Sequence, residues 1–219
     1  MTTEIDGVAS LDLGSVERAV QALRALIAGR KLLPGEQLKQ EDLSRLTQTS
    51  RGTLREALQV LAVERLVSYT RNRGYTVAKF EADEMRQLYE LRDFAEQRLL
   101  ESIPTTVGDD DIAVLVEIND QIKASLDQPH AILTLNDEFH LKMFELSPLQ
   151  IIAEETRRWW HMSTAYRALS VTTSPDRSRI ASDHDRMIDA LRRGDTAGLV
   201  AIGYEHRHDS LYRIIPAIS

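Results

Sequence analysis

Read for apolar periodicity, the chain changes character near Phe80. Before it, Val16, Ala19, Val20, Leu23, Leu26 and Ile27 recur at helical spacing behind Ser15, a capping residue, and Gly29 ends the run. "LLPGEQL" reads as a turn in which Pro34 fixes φ and Gly35 permits the reversal that returns Leu38 to the core. A short helix over Glu41–Leu46 follows, with Leu43 and Leu46 inward. The polar "TQTS" then breaks the pattern and sets Ser50 as N-cap of a third helix, reaching about Glu64 with Leu54, Leu58 and Leu61 as its buried stripe. "LVSYTRNRGYTV" places β-branched and aromatic residues on either side of Asn72 and Gly74, which predicts a two-stranded hairpin with a basic tip. Helix, helix, turn, helix, hairpin is the order of a winged helix-turn-helix.

Beyond Phe80 the pattern is helical throughout, with breaks near Thr105 to Gly108, Gln128-Pro129, Ser147-Pro148, Thr173 to Pro175 and Gly194-Asp195. They delimit six helices of about 15 to 23 residues. The expected fold is therefore mainly α: a winged helix-turn-helix with a small two-stranded wing over 1–80, then an all-α six-helix bundle over 81–219. The chain has 219 residues, enough for two modest cores. No apolar run is long enough to cross a membrane, and the opening MTTEIDGVAS lacks the basic-then-apolar order of a secretory leader, so a cytoplasmic protein is expected. With no cysteine, any metal must be held by His, Asp, Glu or Asn.

Charge then separates the halves. The whole chain carries a formal −7, yet residues 1–80 hold 12 Lys and Arg against 9 Asp and Glu, while 81–219 hold 15 against 25. Between Arg45 and Arg73 six arginines face only Glu56 and Glu64. An acidic partner therefore suits the first half alone. On the third helix the leucines take the core side, which leaves Arg51 and Arg55, one turn apart, on the outer face near the N-terminus. That end of a recognition helix enters the major groove, where guanidinium groups fork onto guanine or phosphate and Ser50 and Thr53 donate to phosphate. Taken singly, the arginine pair reads as a solvated surface; the ordered set of turn, cap, paired arginines and basic hairpin is what points to DNA.

In the second half three helices carry polar residues inside the apolar stripe. Ile132, Leu135, Phe139 and Met143 share a face with Asn136 and His140. Ile180, Met187, Ile188 and Leu191 enclose His184, and His206 aligns with Leu199, Gly203 and Ser210 while His208 points away. Each inward imidazole is either a hydrogen-bonded core residue or a metal ligand. Three on separate helices suit one divalent ion, with the Asn136 carbonyl oxygen in place of a carboxylate. Arg92 lies on the face of Met85, Leu88, Ala95 and Leu99, and an inward guanidinium needs an anion: an internal carboxylate or a ligand.

The spaced motifs carry a resemblance. "PGEQL" at Pro34 to Leu38, "DLSRL" at Asp42 to Leu46, "SRGTLREALQVL" at Ser50 to Leu61 and "RGYTV" at Arg73 to Val77 resemble the N-terminal domain of the GntR family of bacterial transcription regulators over about residues 15–80. "YELRDFAE" at Tyr89 to Glu96, "NDEFH" at Asn136 to His140, "DHDRMIDALRRGD" at Asp183 to Asp195, and His206 resemble the helical effector-binding (FCD-type) domain of the FadR branch. Six helices rather than seven resemble its shorter, VanR-like subgroup. The resemblance implies DNA contacts from Gln37, Ser50, Arg51, Thr53, Arg55, Arg71, Arg73 and Gly74, with Gln37 and Gly52 standing where relatives commonly carry a basic and a bulkier residue. It also implies a homodimer on a two-fold symmetric operator, and a divalent metal, zinc or nickel, on Asn136, His140, His184 and His206. A small carboxylate effector would sit at Arg92. Asn136 replaces the family's Asp and removes one negative charge from that site. Two other functions fit the pattern less well: a three-histidine metal hydrolase, for which no "HExxH" run or other placed base is present, and an architectural DNA protein without an effector.

Overall fold

Helix α1 (Leu13–Ala28) buries Ala19, Val20, Leu23 and Ile27 against α3 (Arg51–Val63), whose Leu54, Ala57, Leu58 and Leu61 are wholly buried. In this computed structural model residues 13–219 are described; the opening MTTEIDGVAS lies outside them. Ser15 falls within α1 and does not cap it. Between the two helices run β1 (Gln37–Leu38) and α2 (Gln40–Thr47). Leu43 reaches the core, but Leu46, expected inward, is 60% exposed. Gln48 adopts φ 52 immediately after α2, so the chain turns away before any neighbour covers Leu46.

The wing is three-stranded, not two-stranded, in the order β1-β3-β2 and antiparallel throughout. Strand β2 (Val67–Thr70) pairs with β3 (Gly74–Val77) as expected, and β1 adds Gln37 opposite Thr76 and Leu38 opposite Tyr75. A two-residue strand is too short to show alternation, which is why the pattern hid it. The tip turns through Asn72 at φ 67 and Gly74 at φ 80, left-handed values that glycine and asparagine adopt most readily.

The second half has six long helices and one short one: α4 (Ala82–Ser102), α5 (Asp109–Ala124), α6 (Pro129–Glu145), α7 (Gln150–Met162), α8 (Thr164–Arg167), α9 (Ser174–Arg193) and α10 (Thr196–Ile214). The sequence reading ran α7 on to Thr173. It ends instead at Met162, with Ser163 as its C-cap, because the Trp160 carbonyl is claimed by other donors: the Ser163 amide (3.2 Å), Ser163 Oγ (2.9 Å) and Arg167 Nη1 (2.5 Å). One turn of α8 and a 3-10 turn at Ala168–Val171 follow. Helix α9 then opens on a reciprocal capping box between Thr173 and Asp176. Gly203 lets α10 approach α4, since a Cβ there would stand 2.7 Å from Leu100 Cδ1.

The two halves share packing. Met85, Leu88, Tyr89, Ala165, Tyr166 and Ile214 join the apolar cluster built by α1–α3 and the wing. A separate cluster from Leu99 to Ile202 fills the far end of the bundle. No helix among the described residues is long and apolar enough to cross a membrane.

Candidate functional site

The first candidate surface lies at the start of α3. Ser50 Oγ accepts from the Thr53 amide at 3.1 Å and stands 2.8 Å from Thr53 Oγ1, so this hydroxyl pair both caps the helix and borders its free N–H groups. Arg51 and Arg55 are exposed, and Arg51 meets Glu41 only at 3.4 Å with both side chains at least 70% exposed. Such a pair is readily exchanged for phosphate. Arg71 and Arg73 are exposed at the wing tip beside Gly74. Gln37 is exposed too, but its Nε2 donates to the Arg73 carbonyl at 2.6 Å, so it steadies the wing from β1.

The second site is a cavity within the bundle. Asn136 and His140 reach it from α6, Trp160 from α7, Arg167 from α8, Arg92 and Glu96 from α4, and His206 and Arg207 from α10. His184, on α9, is fully buried behind it and stacks on Phe139 with ring centroids 3.8 Å apart. The three imidazoles converge through the same nitrogen. Nε2 of His140 lies 3.2 Å from Nε2 of His184 and 3.2 Å from Nε2 of His206, and one ligand nitrogen from each falls within 4.8 Å of the others. Zn–N bonds of about 2.0–2.1 Å place neighbouring ligands of a tetrahedron about 3.3 Å apart, so the spacing suits a single ion. Three neutral rings facing one another cannot all be satisfied by exchanging hydrogen bonds. His206 Nδ1 donates to Asp183 Oδ2 at 3.1 Å, which leaves its Nε2 lone pair facing the cluster.

Electrostatics keeps the His140 and His184 rings unprotonated. Burial pulls His140 well below the ordinary histidine value, helped by His184, His206, Arg92 and Arg167; burial does the same for His184, with His206 adding to it. At the histidine cluster, Asn136 Oδ1 and His184 Nδ1 are buried without a hydrogen-bond partner. An oxygen with an unused lone pair in the cavity lining, one turn from His140, fits a fourth ligand.

Arg92 faces the cavity as expected, and its anion is internal. Nε donates to Glu96 Oε1 at 2.7 Å, one helical turn on, and Nη1 to Ser163 Oγ at 3.1 Å. The guanidinium also lies 4.3 Å from the Trp160 ring and 4.7 Å from that of Tyr89. Burial opposes the charge, but the Glu96 carboxylate raises the Arg92 pKa above its usual value. Glu96 accepts in addition from Arg207 Nη1 at 2.9 Å, and burial notwithstanding the two guanidiniums hold its pKa down. His208, as expected, faces away, bonded to Asp93 at 2.9 Å and stacked on Tyr204. Sequence reading missed Glu96, Trp160, Arg167, Asp183 and Arg207. The i, i+4 spacing of Arg92 and Glu96 was a usable signal for the first; the others depend on contacts between helices.

Residues 87–209 match the family described as FCD domain, and residues 15–77 match the bacterial regulatory proteins of the gntR family. The Nta operon transcriptional regulator of Aminobacter aminovorans is 32% identical over 125 residues, a match spanning 57% of this chain and 60% of that protein's length. A GntR-type transcriptional regulator from Rhodococcus sp. RHA1 superposes with a TM-score of 0.77 at 23% identity, covering 94% of this chain and 100% of that one. Escherichia coli McbR/YncC gives 0.76 at 19% identity, covering 94% and 99%. At these identities the two structures speak to the fold.

Proposed function

Because this chain belongs to the GntR family of transcription regulators, DNA-binding proteins, and carries an FCD domain, we propose that a small organic acid held beside a divalent metal sets its operator affinity. The matched families and relatives are transcriptional regulators and not enzymes, which sets the metal hydrolase aside. The observation that carries the reading is the convergence of three histidine Nε2 atoms, those of His140 and His184 on buried side chains, beside an inward guanidinium.

His140, His184 and His206 would hold the ion, zinc or nickel, with Asn136 Oδ1 as a neutral fourth ligand. Such an ion supplies a Lewis-acidic point to which an acid's oxygen binds. The chain's own groups do the rest. Asp183 orients His206, Trp160 and Phe139 wall the histidines from water, and Arg92 offers its guanidinium to the carboxylate while Glu96 fixes its direction. The DNA-binding half covers 1–80 and the sensor 81–219, and the six long helices of the latter favour the VanR-like subgroup. A homodimer in the cytoplasm would present two copies of α3 and the wing to a two-fold symmetric operator. The architectural alternative leaves the inward polar cluster of the second half without a use.

Elemental analysis of untagged protein purified without chelator is the test. One divalent ion per chain is expected, lost in His184→Ala and in the less buried His206→Gln, and held more tightly in Asn136→Asp. Metal-free protein that gains no thermal stability from zinc or nickel would defeat the reading.

A further inference from the structure

Arg167 is not fully accounted for by its present partners. The side chain is 5% exposed and lines the same cavity as Arg92. Its Nη2 donates to Asp137 Oδ1 at 2.7 Å and Thr164 Oγ1 at 3.0 Å, and its Nη1 to Ser163 Oγ at 2.5 Å and the Trp160 carbonyl at 2.5 Å. Its Nε, however, is buried with no hydrogen-bond partner. A buried charged donor left unpaired is rare in folded proteins and points to a ligand.

The surroundings say what kind. Arg92 and Arg167 donate to the same Ser163 hydroxyl and lie 4.3 and 4.4 Å from the same Trp160 ring, two like charges brought together away from water. Burial lowers the Arg167 pKa; Asp137 opposes this and Arg92 adds to it. The counter-charges mostly stand behind the arginines. Asp137 lines a different cleft, between α1 and α7, and Asp93 and Asp209 hold Arg207 and Arg179 from outside the cavity. Among the described residues, the ionic groups lining the cavity are thus Arg92, Arg167, Arg179 and Arg207 against Glu96.

We propose that Arg167 is a second anion-binding residue of this cavity, and that the effector is a dicarboxylic acid with one acidic group at Arg92 and the histidines and the other at Arg167. The inference rests on the effector reading above. Its position gives it a regulatory consequence. Arg167 ends α8, whose neighbouring Ala165 and Tyr166 are buried in the core of the DNA-binding half, and the Phe80 amide donates to Tyr166 Oη at 2.6 Å. A ligand that draws the Arg167 fork from Asp137 therefore acts on a one-turn helix wedged between cavity and DNA-binding domain.

The test titrates zinc-loaded full chain with malonate, succinate and glutarate and with acetate, propionate and butyrate. Tryptophan fluorescence reports binding, and anisotropy reports affinity for DNA enriched from random sequence. At least one dicarboxylate is expected to bind about tenfold or more tightly than the monocarboxylates, from one added charge-assisted contact, and to shift DNA affinity where they do not. Arg167→Met should erase that advantage while monocarboxylate binding persists. Asp137→Asn, which keeps an acceptor for Trp160 Nε1 (2.9 Å in the native chain), should tighten dicarboxylate binding, a gain that misfolding cannot mimic. Equal binding of both series by the native chain overturns the second anion site and leaves the effector reading intact. Failure of zinc-loaded chain to bind any member of either series removes the effector reading and this inference with it.

Discussion

Glu96 shows how much a single buried side chain decides here. At 4% exposure it accepts from two arginines, Arg92 and Arg207, and among the described residues no other carboxylate lines the cavity. Removing it leaves two guanidiniums buried beside each other, and breaking such a network by deleting one member costs about 3–5 kcal/mol. Glu96→Ala is accordingly expected to lower the unfolding free energy by about that amount, measured by urea denaturation with the slope unchanged. A loss below about 1 kcal/mol would show that water reaches the cluster and screens it. Which way Arg92 points could be read from the sequence, since Met85, Leu88, Ala95 and Leu99 fix the face of α4. What it touches could not, because a helical wheel gives direction and not reach: the same wheel fits a ligand or a carboxylate one turn away. The histidines follow the same rule. Three inward directions were legible, but that all three present Nε2 to one point depends on Asp183 and Phe139, contacts from other helices or across them.

At the scale of the element, the most exposed to test is α3. Its cap, its buried leucines and its bare arginines were all visible in "SRGTLREALQVL", because capping chemistry and helical period are local properties. Arg51→Ala is expected to weaken specific DNA binding by about 1–3 kcal/mol if the side chain reads a base, while barely changing the melting temperature of a side chain 73% exposed. Fluorescence anisotropy against an enriched site measures the first and calorimetry the second. Unaltered DNA affinity in both Arg51→Ala and Arg55→Ala would move the recognition surface elsewhere. The elements the sequence concealed are the short ones. β1 has two residues and α8 four, below the length at which any period shows, and each forms because of distant partners: Thr76 and Tyr75 for β1, the crowded Trp160 carbonyl for α8.

Across the whole molecule, the junction between the halves carries its own titratable group. His161, at the end of α7, lines the cleft between α1 and α7 with Arg24, Arg157, Glu64 and Asp137. Burial, and then Arg24, Arg167 and Arg157, lower its pKa to about 3. An unfolded histidine titrates near 6.5, so between those values the unfolded chain binds a proton that the folded chain refuses. Stability should therefore fall as pH drops below about 6.5, by up to about 1.4 kcal/mol per pH unit for this group, and the loss should continue toward pH 3. Comparing melting temperatures of the native chain and His161→Gln from neutral to mildly acid pH measures the share that is its own; identical slopes would place the acid sensitivity entirely in the buried cluster.

The apolar cluster common to both halves bears on portability. Regulators of this build invite chimeras in which one sensor is joined to another's DNA reader, and the natural seam in the sequence is the charge break near Phe80. A cut there would strip Met85, Leu88, Tyr89, Ala165, Tyr166 and Ile214 of the surface they pack against and bare them to water. The graft that respects the packing is discontinuous: the reader must travel with the start of α4, the α8 turn and the end of α10, three pieces that the chain order scatters over more than half its length.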